Sequence, residues 1–125
     1  MNKNTMLKST MIEMELTNGE KVQLTLNFSR LLNVRNKRKK DYDKYNEVIM
    51  NGAKDVFDNV QVVYMAYLCG LDDLDEAMSE SEFIELIPPY MNTINETVSN
   101  LIAPKKKTDS EKPSENEVPG VQNVE

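Results

Sequence analysis

The chain has 125 residues, 39% of them apolar and 29% charged, which predicts a single compact domain with a polar appendage. It has neither an apolar run near the roughly 20 residues that span a bilayer nor an apolar signal-peptide core in its first ten residues, so we expect a cytosolic protein. Without histidine it lacks the commonest general base and metal ligand, so we predict a non-enzyme that holds no cofactor or metal. The net charge is −6, and the stretch over 47–103, with a net charge of −10, works against nucleic-acid binding.

The first predicted element is a β-hairpin within residues 11–28. Apolar and polar residues alternate on both sides of Asn18-Gly19, which is typical of strands with one buried face. The apolar positions are Ile12, Met14, Leu16, Val22, Leu24, Leu26 and Phe28.

The register of this hairpin follows from its faces. A two-residue Asn18-Gly19 loop would place Leu16 opposite Lys21, which pairs an apolar with a polar side chain. A three-residue loop over 17–19 removes this conflict and puts Gly19 in the left-handed conformation that such loops need. The predicted pairs are Ile12 with Leu24, Met14 with Val22 and Glu15 with Lys21.

A basic helical segment, residues 29–51, comes next. Side chains recur at three- and four-residue steps, with Ser29 as the expected N-cap and Asn51-Gly52 as the expected end. The recurring positions are Leu31, Arg35, Arg38, Tyr42, Tyr45 and Ile49. Whether the segment is one helix or two helices broken near Lys40-Asp41 stays open.

Charge is strongly polarised along the chain. Residues 30–46 hold seven basic and two acidic groups, whereas residues 47–103 hold one basic and eleven acidic groups. Basic residues interleaved with tyrosines can bind nucleic acid, but the segment shows no helix-turn-helix, RRM or zinc-finger pattern. The alternatives are a solvated helix face or contact with an acidic protein surface, for which residues 72–85 of another copy are a candidate.

Residues 53–70 carry the clearest helical pattern. Apolar side chains cover one face, and Met65 and Cys69 are among those that make the opposite face apolar too, so we expect the central core helix here, with part of it facing a partner. The apolar neighbours of Cys69 favour a buried structural thiol over a reactive one. Gly70 is the expected left-handed terminator.

The rest of the folded part is an acidic connector within LDDLDEAMSESEF (residues 71–83), followed by helices over about 80–102. The connector resembles a calcium loop only loosely, because the central glycine is missing, and we read it as solvated. Ser79 and Glu82 fit a capping box. Pro88-Pro89 interrupts the first helix and suits the first turn of a second one, which ends near Ile102.

These elements predict an α+β fold that is mostly α-helical, with an N-terminal β-hairpin packed on a small helical bundle and a single domain over 1–103. Residues 104–125 are rich in Lys, Glu, Ser, Asn and Pro, and such a segment buries too little apolar surface to compensate its ordering entropy. We therefore predict a disordered C-terminal tail.

Taken in order, the features resemble the tail assembly chaperones of siphophages and prophages of Gram-positive bacteria. The matching segments are the hairpin IEMELTNGEKVQLTLNF, the stretch DYDKYNEVIMNGAKDVFDNVQVVYMAYLC, the acidic MSESEFIELIP and the closing LIAPKKK. The resemblance covers roughly residues 11–107 and lies in the order and texture of the segments, without a residue-level site motif.

The resemblance implies a protein of the host cytoplasm that binds the long, helical tape measure protein and keeps it soluble before the tail tube forms around it. Such chaperones are absent from the mature virion. Many of their genes also produce a longer form by ribosomal frameshifting, which recruits the tail tube protein. Lysine codons are A-rich, so Lys105, Lys106 and Lys107 mark a candidate frameshift region, and this chain would be the short product.

A chaperone of a long helix needs exposed apolar surface, which the 53–70 and 90–102 helices could supply, and methionines, of which there are eight, adapt to varied partners. Alternatively, Met65 and Met91 fill the core. The candidate partner-binding residues are Arg35, Arg38, Tyr42, Tyr45, Tyr64, Tyr67, Met91, Ile94 and Val98.

Other functions that stay open are a small nucleic-acid-binding regulator using residues 35–40 and another phage structural or connector protein. A homo-oligomer is also compatible with the sequence.

Overall fold

The computed structural model describes residues 11–103, which form an α+β fold that is mostly helical, as the sequence predicts. It consists of an N-terminal hairpin and five helices, and the hairpin packs on the third of these helices. The strands are β1 (Ile12–Glu15) and β2 (Lys21–Leu24). The helices are α1 (Phe28–Lys37), α2 (Lys39–Asn51), α3 (Val56–Gly70), α4 (Glu80–Leu86) and α5 (Met91–Ile102), with a 3-10 turn at Leu74–Glu76.

The hairpin has the predicted register. Met14 lies opposite Val22, Ile12 opposite Leu24, and the strands are antiparallel. The three-residue loop is closed by two backbone hydrogen bonds, from Leu16 N to the Glu20 carbonyl (2.7 Å) and from Gly19 N to the Leu16 carbonyl (2.9 Å). Gly19 has φ +90°, a conformation that costs residues with a Cβ atom roughly 1 kcal/mol or more.

The second strand is shorter than predicted. It ends at Leu24, and the next amide, that of Thr25, donates to the Ala66 carbonyl of α3 (3.2 Å) instead of continuing the ladder. Phe28, expected on the buried strand face, is the first residue of α1 and is 85% exposed. The alternation of apolar residues from Leu24 to Phe28 therefore does not belong to a strand, because the chain leaves the ladder at Thr25 and enters α1 at Phe28.

The basic segment forms two helices, which decides the question that the sequence leaves open. The break falls at Arg38 (φ −137°, ψ 64°), slightly before the expected position near Lys40-Asp41. Asn27 caps α1 by accepting from the Ser29 amide (2.9 Å), so the prediction of Ser29 as N-cap is wrong by two residues. The predicted end at Asn51-Gly52 is confirmed, with Gly52 at φ +87°.

Helix α3 is the central element, because it contacts β2 and each of the other helices. Every residue from Val60 to Cys69 is buried, as expected for a helix that is apolar nearly all round. It begins three residues later than predicted, where the Asp55 carboxylate accepts from the Phe57 amide (3.0 Å). Gly70 is the last helical residue and does not have a positive φ, so its predicted role as a left-handed terminator is wrong.

The predicted helical region 80–102 consists of two helices separated by Pro88-Pro89. The capping box is confirmed: the Glu82 amide donates to Ser79 Oγ (3.2 Å) and the Ser79 amide donates to Glu82 Oε1 (3.0 Å). Tyr90 is the N-cap of α5, so the prolines precede this helix and are not in its first turn. The short, proline-terminated α4 leaves a gap before α5 begins.

Two predictions lie outside the described residues, namely the disordered tail over 104–125 and the lysine triplet at 105–107. Within residues 11–103 no helix is both long and apolar enough to cross a membrane.

A candidate partner-binding groove

Most of the residues predicted to contact a partner are part of the core. The buried ones, at most 8% exposed, are Tyr45, Tyr64, Tyr67, Ile94 and Val98. Tyr64 and Tyr67 pack around Phe83 of α4, whose ring centroid lies 5.4 Å from that of Tyr64 and 4.8 Å from that of Tyr67. Tyr64 and Tyr67 therefore belong to the core and present no exposed surface to a partner. Ile94 is buried as well, but it forms the floor of a groove described below.

The hydroxyls of these two tyrosines hold the acidic connector in place. Tyr64 donates to the Met78 carbonyl and Tyr67 accepts from the Met78 amide, each at 2.8 Å. Arg38 Nη2 donates to the Tyr64 hydroxyl (3.3 Å), while Nε donates to Asp41 (2.9 Å). This network links the break between α1 and α2 to the start of α4, so Arg38 is a structural residue in this fold.

Burial also explains the titration of the core groups. It raises the pKa of Tyr45 and of Tyr64 to about 12, and at Tyr64 it outweighs the lowering effect of the Arg38 guanidinium. It raises the pKa of the Cys69 thiol to about 12 as well. The predicted buried cysteine is thus confirmed, and its thiol stays protonated, and hence poorly nucleophilic, at neutral pH.

The basic segment is largely paired within the chain. Arg30 Nη1 donates to the carbonyls of Cys69 (2.9 Å) and Leu71 (3.2 Å) at the end of α3, where cations are favoured. The ion pairs are Arg30 with Asp72, Arg38 with Asp41, Lys39 with Asp43 and Lys44 with Glu80. Two of these acidic partners, Asp72 and Glu80, belong to the 72–85 region, so the charge attraction expected between copies operates here inside one chain. Contact with another copy stays a prediction.

Arg35 and Tyr42 lie beside a shallow cleft of about 210 Å³, together with Leu31 and the exposed side chains of Phe28 and Leu32. Within the described part of the chain Arg35 makes no ion pair.

A larger apolar groove, of about 360 Å³, opens where three helices meet. The start of α3, the end of α4 and the start of α5 enclose it, and Pro88-Pro89 crosses between the last two. Phe57 and Tyr90 are each 66% exposed and Met91 is 61% exposed, while Val60 and Ile94 below them are buried. We call this the apolar groove; its lining residues are Thr17, Val56, Phe57, Val60, Ile84, Glu85, Ile87, Pro88, Pro89, Tyr90, Met91 and Ile94.

Hydrogen bonds fix the walls of the apolar groove. The Thr17 amide of the hairpin loop donates to the Leu86 carbonyl (2.7 Å), which holds the end of α4. Asn59 Nδ2 donates to Asn95 Oδ1 (2.7 Å), which ties α3 to α5. Proline has no amide hydrogen and cannot continue α4, so the chain crosses the gap in an extended form. These contacts therefore hold the walls of the apolar groove in place. Its floor is apolar, and large apolar side chains at its rim are exposed to solvent.

Sequence reasoning found only part of this surface. Met91 and Ile94 were predicted, and Met91 is exposed, so the alternative that it fills the core is wrong, whereas Met65 is fully buried. Phe57, Ile84 and Tyr90 were missed as partner-binding residues. The available signal was Pro88-Pro89 flanked closely by large apolar residues, which marks a gap between helices and not a continuous face.

Within residues 11–103 no three His, Cys, Asp or Glu side chains come together as a metal site would require. No protein-family model matches the chain, and neither a curated protein nor a solved structure matches it.

Proposed function

We propose that the chain is a phage tail assembly chaperone that binds the tape measure protein and keeps it soluble during tail morphogenesis, without enzymatic activity. The observation that supports this most directly is the apolar groove. Three large side chains, Phe57, Tyr90 and Met91, stay mostly in solvent although Val60 and Ile94 beside them are buried. Clustered exposed apolar residues of this kind mark interaction sites.

The shape of the apolar groove favours a helical partner. A helix presents apolar residues at i, i+3, i+4 and i+7, and a groove between packed helices receives such a stripe. Ile84 of α4 supplies a branched side chain and Met91 of α5 a flexible one, and methionine adapts to varied side chains. A long protein with many similar apolar stripes needs this tolerance in the chaperone that covers it.

Co-expression tests the proposal. The tape measure protein of the same phage is produced with the full chain, with a Phe57→Ser/Met91→Ser double variant, or with Met50→Ser, and its soluble fraction is measured. Met50 is 72% exposed on α2 and does not line the apolar groove, so it controls for loss of exposed apolar surface. We expect wild type and Met50→Ser to raise solubility and co-purify with the partner, and the double variant to lose most of both effects.

Folding of each variant is checked by circular dichroism and thermal unfolding. A wild-type chain that neither solubilises nor co-purifies with the tape measure protein would refute the proposal. If the folded double variant solubilised the tape measure protein as well as wild type does, the apolar groove would not be the binding site.

The proposal includes three further properties of the chaperone: presence in the host cytoplasm, absence from the mature virion, and origin as the short product of a frameshifted gene whose longer form contacts the tail tube protein. Mass spectrometry of infected cells and of purified virions tests them. We expect the chain and a larger form sharing residues 1–104 in the cells, and neither form in the virions.

A further inference from the structure

We propose that the apolar groove selects helices whose apolar stripe is flanked by lysine or arginine, and discriminates against the same stripe flanked by acidic residues. This inference rests on the proposed function, since it describes the chemistry of the helix that the chaperone receives. It goes beyond that function in assigning a charge preference to the site.

The charge distribution around the apolar groove carries the inference. Residues 55–103 include all of α3, α4 and α5, and they hold ten acidic residues and no lysine or arginine. Of the residues that line the groove, Glu85 alone is charged. It is exposed and makes no ion pair within the described residues. The site therefore combines an apolar floor with an unneutralised carboxylate at its edge.

Helix dipoles do not reverse this sign. The end of α4 and the start of α5 both face the apolar groove, the first with partial negative and the second with partial positive charge, and such contributions are of similar size. At the start of α3 the Asp55 carboxylate accepts from the Phe57 amide (3.0 Å), which adds negative charge where the dipole is positive. Side-chain charge therefore sets the potential at the groove.

Within residues 11–103 no lysine or arginine lines the apolar groove, although Lys54 lies just before the start of α3. Four of the nine lysines and arginines in this range are in ion pairs, among them Lys44 with Glu80 (3.1 Å) and Arg30 with Asp72 (3.4 Å), and none of them pairs with Glu85. Screening over roughly 8 Å at physiological ionic strength further limits the influence of more distant cations on the groove. A lysine beside the apolar stripe of a bound helix can lay its methylene stem on the groove rim and extend its ammonium group to Glu85.

The test uses two fluorescent helical peptides with the same leucine and phenylalanine stripe, one flanked by lysines and the other by glutamates. Anisotropy titrations with the full chain measure both affinities at about 150 mM and at higher salt. An exposed charge pair contributes about 0.2–1 kcal/mol, so a pair with Glu85 predicts roughly 1.5-fold to fivefold tighter binding of the lysine peptide. Added salt should reduce this ratio.

Variants place the effect in the apolar groove. Glu85→Lys should remove or invert the preference, whereas Glu13→Lys, the same charge change at an exposed strand position outside the groove, should leave most of it. The Phe57→Ser/Met91→Ser variant should weaken both peptides. Equal affinities, tighter binding of the glutamate peptide, no binding of either peptide, or equal effects of Glu85→Lys and Glu13→Lys would overturn the inference.

The two proposals fail separately. A chain that keeps the tape measure protein soluble but binds both peptides equally retains the proposed function and loses the charge preference. A chain that prefers the lysine peptide through Glu85 but has no effect on the tape measure protein keeps the site and loses the proposed function.

Discussion

Gly70 lies against the backbone of Gln23 so closely that a side chain at this position would collide with the strand. A Cβ atom added to Gly70 would sit 2.7 Å from the Gln23 carbonyl carbon and overlap its oxygen. One helical turn earlier, the Ala66 carbonyl accepts from the Thr25 amide (3.2 Å). Small residues at 66 and 70 therefore let β2 approach the central helix, and this contact fixes the hairpin on the helices.

Replacing Gly70 by alanine tests this packing through the sign of its effect. Helix propensity alone would make Gly70→Ala stabilising, by up to about 1 kcal/mol. The overlap with Gln23 predicts the opposite, a loss of about 1–3 kcal/mol, because backbone cannot move aside as a flexible side chain can. Urea unfolding of the two proteins measures the difference, and a stabilised variant would show that β2 does not pack as described.

Gly70 also shows which features of the fold can be predicted from sequence and which cannot. Alternation of apolar residues and the turn at Gly19 were sufficient to predict the hairpin register, because both signals are local. Gly70 was correctly placed at the end of a helix but given the wrong role, since the neighbouring strand that excludes a Cβ atom lies 47 positions away in the chain. Local patterns predict elements, whereas close approaches between elements are set by tertiary packing.

The hydrogen bonds of Tyr64 and Tyr67 to Met78 predict a moderate cost on their removal. Tyr64→Phe leaves the Met78 carbonyl without its 2.8 Å donor, and Tyr67→Phe leaves the Met78 amide without its acceptor. We expect each variant to lose about 1–2 kcal/mol of unfolding free energy. Tyr90→Phe is the matched control, since Tyr90 is 66% exposed, and should change stability by less than about 0.5 kcal/mol. Chemical denaturation measures the unfolding free energy of all three variants. Equal losses in all three would argue against the hydrogen bonds of Tyr64 and Tyr67 to Met78.

As pH rises, the fold should lose stability before Tyr45, Tyr64 and Cys69 ionise in the folded state. The pKa values of Cys69, Tyr45 and Tyr64 are raised to about 12, from ordinary values of 9.0 for the thiol and 10.0 for the phenols. The unfolded chain therefore loses these protons first, so their contribution to stability is complete below about pH 9 and is lost as pH rises through 12.

Thermal unfolding between pH 8 and 12 measures this loss, and absorbance at 295 nm follows tyrosine ionisation. A Tyr45→Phe/Cys69→Ala variant removes two of the three groups, so its unfolding temperature should fall less steeply with pH, although its stability at pH 8 is lower. A slope identical to that of wild type would contradict the assigned burial effect.

Alanine substitutions of Arg38 and Arg35 should differ sharply in their cost to stability, although both residues belong to the same basic segment. Arg38 donates to Asp41 (2.9 Å) and to the Tyr64 hydroxyl (3.3 Å), and Arg35 is exposed. We expect Arg38→Ala to cost about 1–2 kcal/mol and Arg35→Ala less than about 0.5 kcal/mol in urea unfolding. If both changes were neutral, Arg38 would not have the structural role assigned to it.

Binding of nucleic acid by residues 35–40 is a separate prediction of the alternative function. It requires affinity that falls steeply with salt, and anisotropy with labelled oligonucleotides at low salt would reveal it.

The candidate site was less accessible to sequence reasoning than the fold. Helical spacing identifies which residues share a face, and so it placed Ile94 and Val98 together with Met91. It does not show where a face is left uncovered, and only Met91 of these three is exposed. The apolar groove arises because α4 is short and Pro88 prevents its continuation, so its walls come from three helices whose proximity no local pattern encodes.

Two phenylalanines provide the last prediction, because one is exposed at the apolar groove and the other is buried in the core. Phe57 is 66% exposed at the rim of the apolar groove, and Phe83 is fully buried between Tyr64 and Tyr67. Phe83→Ala should cost about 3–5 kcal/mol or prevent folding, because it removes a core ring and leaves a cavity. Phe57→Ala should cost less than about 1 kcal/mol while it weakens binding of an amphipathic helix. Urea unfolding and peptide anisotropy on the same samples measure both quantities. A large stability cost for Phe57→Ala would show that this ring serves the fold and would weaken the assignment of the groove to a partner.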